Sequence, residues 1–148
     1  MSGRRHCEAL AANATSPRPV LWQNGRPMRL FALRGANTVA VNEASAILDA
    51  TAELIRELME RNALAPAAMV SAIFTLTDDL DAEFPAVAAR QLGLDRVPLL
   101  CTREIPVPGS LPRVIRALVH YYAADDHEPS HVYLGEARAL RLDLESAQ

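Results

Sequence analysis

The chain places a thiol, a carboxylate and two arginines around one connection, in the stretch LLCTREIPVPGSLPRVIRALVHYY of residues 99–122. Cys101 and Glu104 close an apolar run, and Arg113 and Arg116 follow a proline-glycine turn. Guanidinium groups grip carboxylates through paired hydrogen bonds, and a carboxylate can orient a guanidinium or balance a positive charge. The set therefore suits an anionic small molecule, preferably one that carries carboxylates.

Two further residues join this set, and several of its members also have an ordinary structural explanation. Arg34 ends a predicted strand directly before Gly35, and open α/β sheets bind ligands at strand ends. Tyr133, in the sequence HVYL, buries its ring and needs a partner for its hydroxyl. The alternatives are a solvated rim position for Arg34, a small buried hydrophobe at Cys101 and a solvated turn residue at Glu104.

The composition excludes several other chemistries. All fifteen positive residues are arginine, so a Schiff-base lysine, a pyridoxal lysine and a Walker-type phosphate loop are excluded. Two distant cysteines and four scattered histidines have no zinc-site or disulfide-framework spacing, so we expect no metal site and a reduced cytoplasmic setting. We also expect no serine to pair with His120, His127 or His131 as nucleophile and base.

The bulk properties place the chain among ordinary globular domains. Its 148 residues suffice for one domain, and half of them are hydrophobic. A net charge of -3 argues against a nucleic-acid partner, and no apolar run is long enough to span a bilayer. Residues 1–27 lack hydrophobic periodicity, which predicts a disordered extension. The predicted domain spans residues 28–144, and residues 145–148 are predicted to form a flexible tail.

Hydrophobic periodicity predicts alternating strands and helices within that domain. The predicted strands are 28–35, 69–77, 96–104 and one or two within 131–141; the predicted helices are 42–62, 81–93 and 110–123. Asn42 and Ser110 are the expected N-caps, and Gly93 the expected stop of the second helix. This order predicts an α+β domain, in which one sheet is covered by helices.

The predicted elements leave two questions about the candidate site. Residues three apart in a regular strand point to opposite faces, so Cys101 and Glu104 share a site only under one of two conditions. The pleat must end before Glu104, or Cys101 must act mainly through its backbone. Arg113, Arg116 and His120 lie on the polar side of the predicted last helix, which is solvated in a monomer but could line a pocket in an oligomer.

Four stretches, in order, resemble the AroH-class chorismate mutases: LRGANTV (33–39), FPAVAAR (84–90), VPLLCTREIPVPGSLPRVIRALV (97–119) and HVYLGEARALRLDL (131–144). The match covers nearly all of the predicted domain, and the ordered set is more specific than any one motif. The resemblance implies a cofactor-free homotrimer, assembled as a pseudo-α/β-barrel from mixed sheets packed against helices. It also implies rearrangement of chorismate to prephenate, toward phenylalanine and tyrosine, in sites between subunits.

The resemblance assigns roles to individual residues. Arg34 matches an arginine that grips a substrate carboxylate, and Arg116 one that faces the ether oxygen. Cys101 and Glu104 match the thiol and carboxylate that meet the ring hydroxyl, and Tyr133 a tyrosine near the side-chain carboxylate.

Other matched positions surround this set. Phe84 and Arg90 match residues that a neighbouring subunit contributes to the wall of the family's active site. Arg141 matches a basic residue of the family's C-terminal tail. Leu100 and Val87 stand where the family often has threonine and lysine, so the entrance is less polar and substrate affinity is in question. Two rival functions stay open: a trimeric imine deaminase and a non-catalytic module that binds a dicarboxylate metabolite.

Overall fold

A six-stranded mixed sheet forms the centre of the structure, a computed structural model that describes residues 21–141. The strands are β1 (Leu21–Gln23), β2 (Arg26–Thr38), β3 (Met69–Leu76), β4 (Leu99–Arg103), β5 (Val114–Ala124) and β6 (Val132–Tyr133). The helices are α1 (Ala44–Arg61) and α2 (Pro85–Gln91), with short 3-10 turns at Pro66–Ala68 and Gly135–Arg138. No helix in this part of the chain is long and apolar enough to cross a membrane.

Strand β5 lies at the centre of the sheet, whose order is β1-β2-β5-β3-β4. It runs antiparallel to both β2 and β3, whereas β4 joins β3 in parallel and β6 joins β2 in parallel. The mixed α+β fold predicted from the sequence is therefore confirmed.

Both helices cover one face of the sheet, here called the helix face. The apolar stripe of α1, which includes Leu54 and Leu58, packs on Leu33 and Phe74 of the sheet, and Ala89 of α2 joins the same cluster. Such a stripe at helical spacing buries its apolar area against the strands. The other face, here called the second face, carries the alternate side chains of each strand. It is the face on which the candidate site forms.

The predicted helix over 110–123 is wrong, since these residues form β5. Burial alternates along the strand: Ile115, Ala117, Val119 and Tyr121 are buried. The segment forms a strand because β2 and β3 hydrogen-bond to it on both sides. Its β-branched and aromatic residues also fit a pleated surface. Ser110 and Pro112 lie in the connection before the strand, so Ser110 caps no helix.

Element boundaries differ elsewhere. Helix α1 begins at Ala44 after Glu43, so Asn42 is not its N-cap; the Asn42 side chain instead binds the backbone N–H groups of Asp81 and Ala82. Helix α2 begins at Pro85 rather than at residue 81, and Gly93 follows its end with φ +91°, as predicted.

The two ends of the described chain also differ from expectation. Residues 21–27 of the predicted disordered extension belong to the β1–β2 hairpin, which turns at Asn24 and Gly25, both with positive φ. Residues 131–141 contain only the two-residue strand β6, followed by a helical turn. The remaining predictions, for residues 1–20 and for the tail 145–148, lie outside the described residues.

Candidate active site

Arg34, Arg116 and Tyr133 line one cavity of about 300 Å³ on the second face of the sheet. The strand register places them there. Ala36 of β2 pairs with Arg116 of β5 on one side and with Tyr133 of β6 on the other. Arg34 lies two residues before Ala36, so its side chain shares that face. Three of the predicted site residues, from three strands, therefore surround one cavity.

Glu104 reaches Arg116 because it directly follows β4 and shares the face of Leu100 and Thr102, which lie four and two residues before it. The backbone N–H of Glu104 donates to the Leu76 carbonyl at 2.9 Å, which ends the pairing of β4 with β3. Glu104 Oε2 then accepts a hydrogen bond from Arg116 Nη1, and Oε1 accepts one from the Thr75 hydroxyl at 2.5 Å. The side chains of Arg116 and Glu104 are only 30% and 16% exposed. A fixed, charge-assisted pair thus borders the cavity.

The Tyr133 hydroxyl is buried and has no hydrogen-bond partner within the described part of the chain. A buried polar group without a partner costs about 1–3 kcal/mol. Since Tyr133 lines the cavity, an oxygen-bearing ligand there would satisfy its hydroxyl. The buried hydroxyl without a partner agrees with the prediction from the sequence that the hydroxyl of Tyr133 needs a hydrogen-bond partner.

Thr75 lines the cavity and His131 contacts the backbone of Arg34, although the sequence reasoning placed neither residue there. The Nδ1 atom of His131 accepts the backbone N–H of Arg34 at 3.1 Å. Burial, and then the nearby charge of Arg34, lower the pKa of His131, so its neutral form is favoured. A histidine two residues before Tyr133 was the available signal for this position. Thr75 gave none, because only the strand register brings it to Glu104.

Cys101 does not share this cavity. It pairs in register with Phe74, whose side chain is fully buried on the helix face, and it packs against the same core. Its side chain therefore points away from Arg116, and only its backbone remains for a role on the second face. The side chains of Cys101 and Glu104 therefore lie on opposite faces of the sheet, as regular strand alternation predicts, and a role of the Cys101 backbone in the site stays a prediction.

A second cavity of about 360 Å³ lies beside the connection between β3 and α2 and includes Phe84, Cys101 and Arg103. Phe84 is 68% exposed, which is unusual for a large aromatic side chain. Arg90 is exposed on α2 and lines neither cavity. A single chain therefore holds Phe84 and Arg90 apart from Arg34 and Arg116.

Leu100 and Arg141 also lie outside the Arg34 cavity. Leu100 pairs with Ile73 and so lies on the second face, where it is 58% exposed. Arg141 is exposed at the end of the described chain.

One expectation about the histidines is wrong. Ser71 Oγ lies 3.1 Å from His120 Nδ1, because β3 and β5 pair these two residues directly. This pair lies on the second face beyond the rung of Ile73 and Leu118, and neither residue lines the cavity of Arg116. Within residues 21–141, no group of three or more metal-binding side chains occurs.

Fold and site together define a class: an α+β protein with a cavity on its sheet that is lined by two arginines and a tyrosine. Comparison with known proteins narrows this class to a family. The chain belongs to the family described as chorismate mutase type I, whose sequence model matches residues 30–144. The recognition made from the four sequence motifs is thereby confirmed.

Named relatives agree with this membership. The chain is 52% identical over 118 residues to Chorismate mutase AroH from Thermus thermophilus, covering 78% of this chain and 97% of the relative. It is 35% identical over 119 residues to Chorismate mutase AroH from Bacillus subtilis, covering 79% and 94%. A solved structure titled as a chorismate mutase from Clostridium thermocellum superposes with a TM-score of 0.71 at 44% identity, covering 74% of this chain and 98% of that one.

Proposed function

We propose that the chain is an isomerase that rearranges chorismate to prephenate, toward phenylalanine and tyrosine. Family membership supports the reaction, and the observation that carries the mechanism is Arg116, held by Glu104 beside a cavity shared with Arg34 and Tyr133. The two arginines and the tyrosine hydroxyl match the needs of a compact dicarboxylate.

The rearrangement breaks a C–O bond while a C–C bond forms within one molecule. It needs no nucleophile and no proton transfer, so the protein contributes by holding a compact conformer and by stabilising charge as it separates. Arg34 and Tyr133 bind carboxylates and supply position.

Arg116 supplies the catalytic interaction. In the transition state the ether oxygen becomes more negative and the ring fragment more positive. A guanidinium fixed by Glu104 interacts more strongly with that oxygen than with the ether of the ground state, and only such a difference raises the rate. The Glu104 carboxylate balances the cationic fragment and orients Arg116.

The proposal includes a homotrimer with each site shared between two subunits. Its support is the separation, within one chain, of the exposed Phe84 and Arg90 from the cavity of Arg34 and Arg116. A second copy that brings its Phe84 and Arg90 over this cavity would enclose the substrate. A cytoplasmic location is also proposed, in keeping with the free thiol of Cys101.

Incubation with chorismate tests the reaction. The wild-type chain should remove the ultraviolet band of chorismate and yield a product that acid converts to phenylpyruvate. Arg116→Ala should lower kcat by at least about 100-fold, since removal of one preorganised donor costs roughly 3 kcal/mol. Its circular dichroism should match the wild type.

Arg29→Ala is the matched control, because Arg29 is an exposed arginine of the same sheet that lies over the Phe31 ring, away from the cavity. It should keep wild-type turnover. Full turnover by the Arg116 variant would refute the mechanism, and release of ammonia from an imino acid without chorismate turnover would refute the reaction.

A further inference from the structure

We propose that Thr75 is a positioning residue for the rearrangement: its hydroxyl holds one oxygen of Glu104, so that Arg116 is oriented by the other oxygen alone. This inference rests on the proposed function. The observation that carries it is that Glu104 binds two donors from two strands, one on each carboxylate oxygen.

The strand register explains how Thr75 reaches this position. Thr75 of β3 pairs with Thr102 of β4 on one side and with Arg116 of β5 on the other. Glu104 follows β4 and is anchored by its backbone to Leu76. Its side chain therefore crosses back over β3 toward β5, and the hydroxyl of Thr75 lies on this path. Thr75 also lines the cavity that Arg34 and Tyr133 share with Arg116.

The chemical consequence concerns how the guanidinium is shared. A carboxylate with both oxygens available pairs with arginine in a two-bond fork, which occupies two of its N–H groups. Here the Thr75 hydroxyl occupies Oε1 at 2.5 Å, and Arg116 binds through Nη1 to Oε2. Glu104 is the one partner of the Arg116 guanidinium within residues 21–141, so its other N–H groups remain available to a substrate oxygen.

This arrangement predicts an effect on kcat rather than on KM. Without the hydroxyl, Glu104 can rotate and take a second N–H group of Arg116, which weakens the interaction made in the transition state. Binding of the carboxylates by Arg34 and Tyr133 does not depend on Thr75. Outer partners that orient a reacting group typically contribute a factor of about 10–100, and we expect the lower end because Glu104 keeps its backbone anchor.

The test compares Thr75→Val, which keeps the shape and removes the hydroxyl, with Thr75→Ser, which keeps the hydroxyl. Thr75→Val should lower kcat about tenfold with KM within about twofold of wild type, whereas Thr75→Ser should keep at least about half of kcat. Ser71→Ala is the matched control, because it removes a hydroxyl from the same face of β3 at a residue outside the cavity. It should leave kcat unchanged.

A double-mutant cycle separates positioning from a structural effect. In a Glu104→Gln background, Thr75→Val should change kcat by less than about twofold, since Thr75 acts through the carboxylate. A tenfold loss in that background would overturn the inference, as would a Thr75→Ser variant as impaired as Thr75→Val. If Thr75→Val does not fold by circular dichroism, Thr75→Ala takes its place in both backgrounds with the same expected outcomes.

The two proposals fail in different ways. An active wild type with an equally active Thr75→Val variant overturns the role of Thr75 alone. A wild type that leaves chorismate unchanged overturns the proposed reaction and the role of Thr75 with it.

Discussion

At the scale of single residues, the site depends on which hydrogen-bond partner each polar atom has. Glu104 divides its two oxygens between Thr75 and Arg116, and the backbone of Arg34 is held by His131. Residue type alone identified the arginines and the carboxylate as candidates. Their partners could be identified only from the pairing of the strands. Two of those partners are a threonine and a histidine that no sequence motif singles out.

The hydrogen bond to His131 makes stability depend on pH. Since burial and the charge of Arg34 lower the pKa of His131, the folded chain takes up this proton at a lower pH than the unfolded chain does. Stability therefore falls as pH drops below about 6.5, the ordinary pKa of histidine, down to the lowered folded-state value. His131→Asn keeps an acceptor near the Nδ1 position but does not titrate.

We expect the melting temperature of wild type to fall more steeply than that of His131→Asn as pH is lowered from about 7.5 to 5.5. Thermal unfolding followed by circular dichroism at several pH values measures this difference. Identical pH profiles for the two proteins would contradict the assignment of His131 as a neutral acceptor.

At the scale of elements, the short turn after β6 fixes where Tyr133 enters the site. Gly135 opens the 3-10 turn Gly135–Arg138 with φ +53°, and a Cβ atom there would overlap the hydroxyl of Thr38. That hydroxyl accepts the backbone N–H of Glu136, which ties the turn to β2. The position therefore demands glycine on two counts.

Gly135→Ala should lower the free energy of unfolding by about 3 kcal/mol, roughly 1 from the left-handed backbone and about 2 from the overlap with Thr38. Gly25→Ala is the matched control, since Gly25 has φ +74° but a Cβ atom added there would have nothing within 4 Å. It should lose only about 1 kcal/mol. Urea unfolding measures both, and equal losses would show that the contact with Thr38 has no energetic weight.

At the scale of the whole molecule, the proposed trimer requires a single chain to present two incomplete parts of one shared site. Arg34, Arg116 and Tyr133 surround one cavity, while Phe84 and the exposed Arg90 lie elsewhere. Large apolar side chains such as Ile105, 85% exposed, and Leu100, 58% exposed, also lie open in the isolated chain. Such exposure is typical of a surface that another chain covers.

The proposed trimer predicts rescue between inactive variants. Arg90→Ala and Arg116→Ala should each have little activity alone, whereas co-refolding equal amounts should restore about a quarter of the wild-type activity. The fraction follows because each shared site draws its Arg90 and its Arg116 from two different subunits at random. Turnover assays on the mixture, with light scattering for the mass, measure both claims.

Absence of rescue in a mixture that light scattering shows to be trimeric would place both arginines of each site in one chain. A monomeric mass at micromolar concentration would refute the proposed assembly. Mixing Arg116→Ala with Thr75→Val is the control, because both residues lie in the same half-site and rescue should stay small.

The sequence was sufficient for the elements with a single strong pattern and for the family. The apolar stripe of α1 and the alternating run of β3 have one periodicity each, and four motifs in fixed order identified the chorismate mutases. The residue types of the cavity, Arg34, Arg116 and Tyr133, were also readable, since guanidinium and hydroxyl groups carry their chemistry wherever they are placed.

Tertiary structure decided which partners each segment and each side chain meets. The segment that became β5 has apolar residues at both helical and strand spacings, and only hydrogen bonding to β2 and β3 selected the strand. The same pairing turned Cys101 toward the core and brought Thr75 to Glu104. The physical reason is that a strand satisfies its backbone through residues distant in sequence, so its register, and every contact that depends on it, exists only in the assembled sheet.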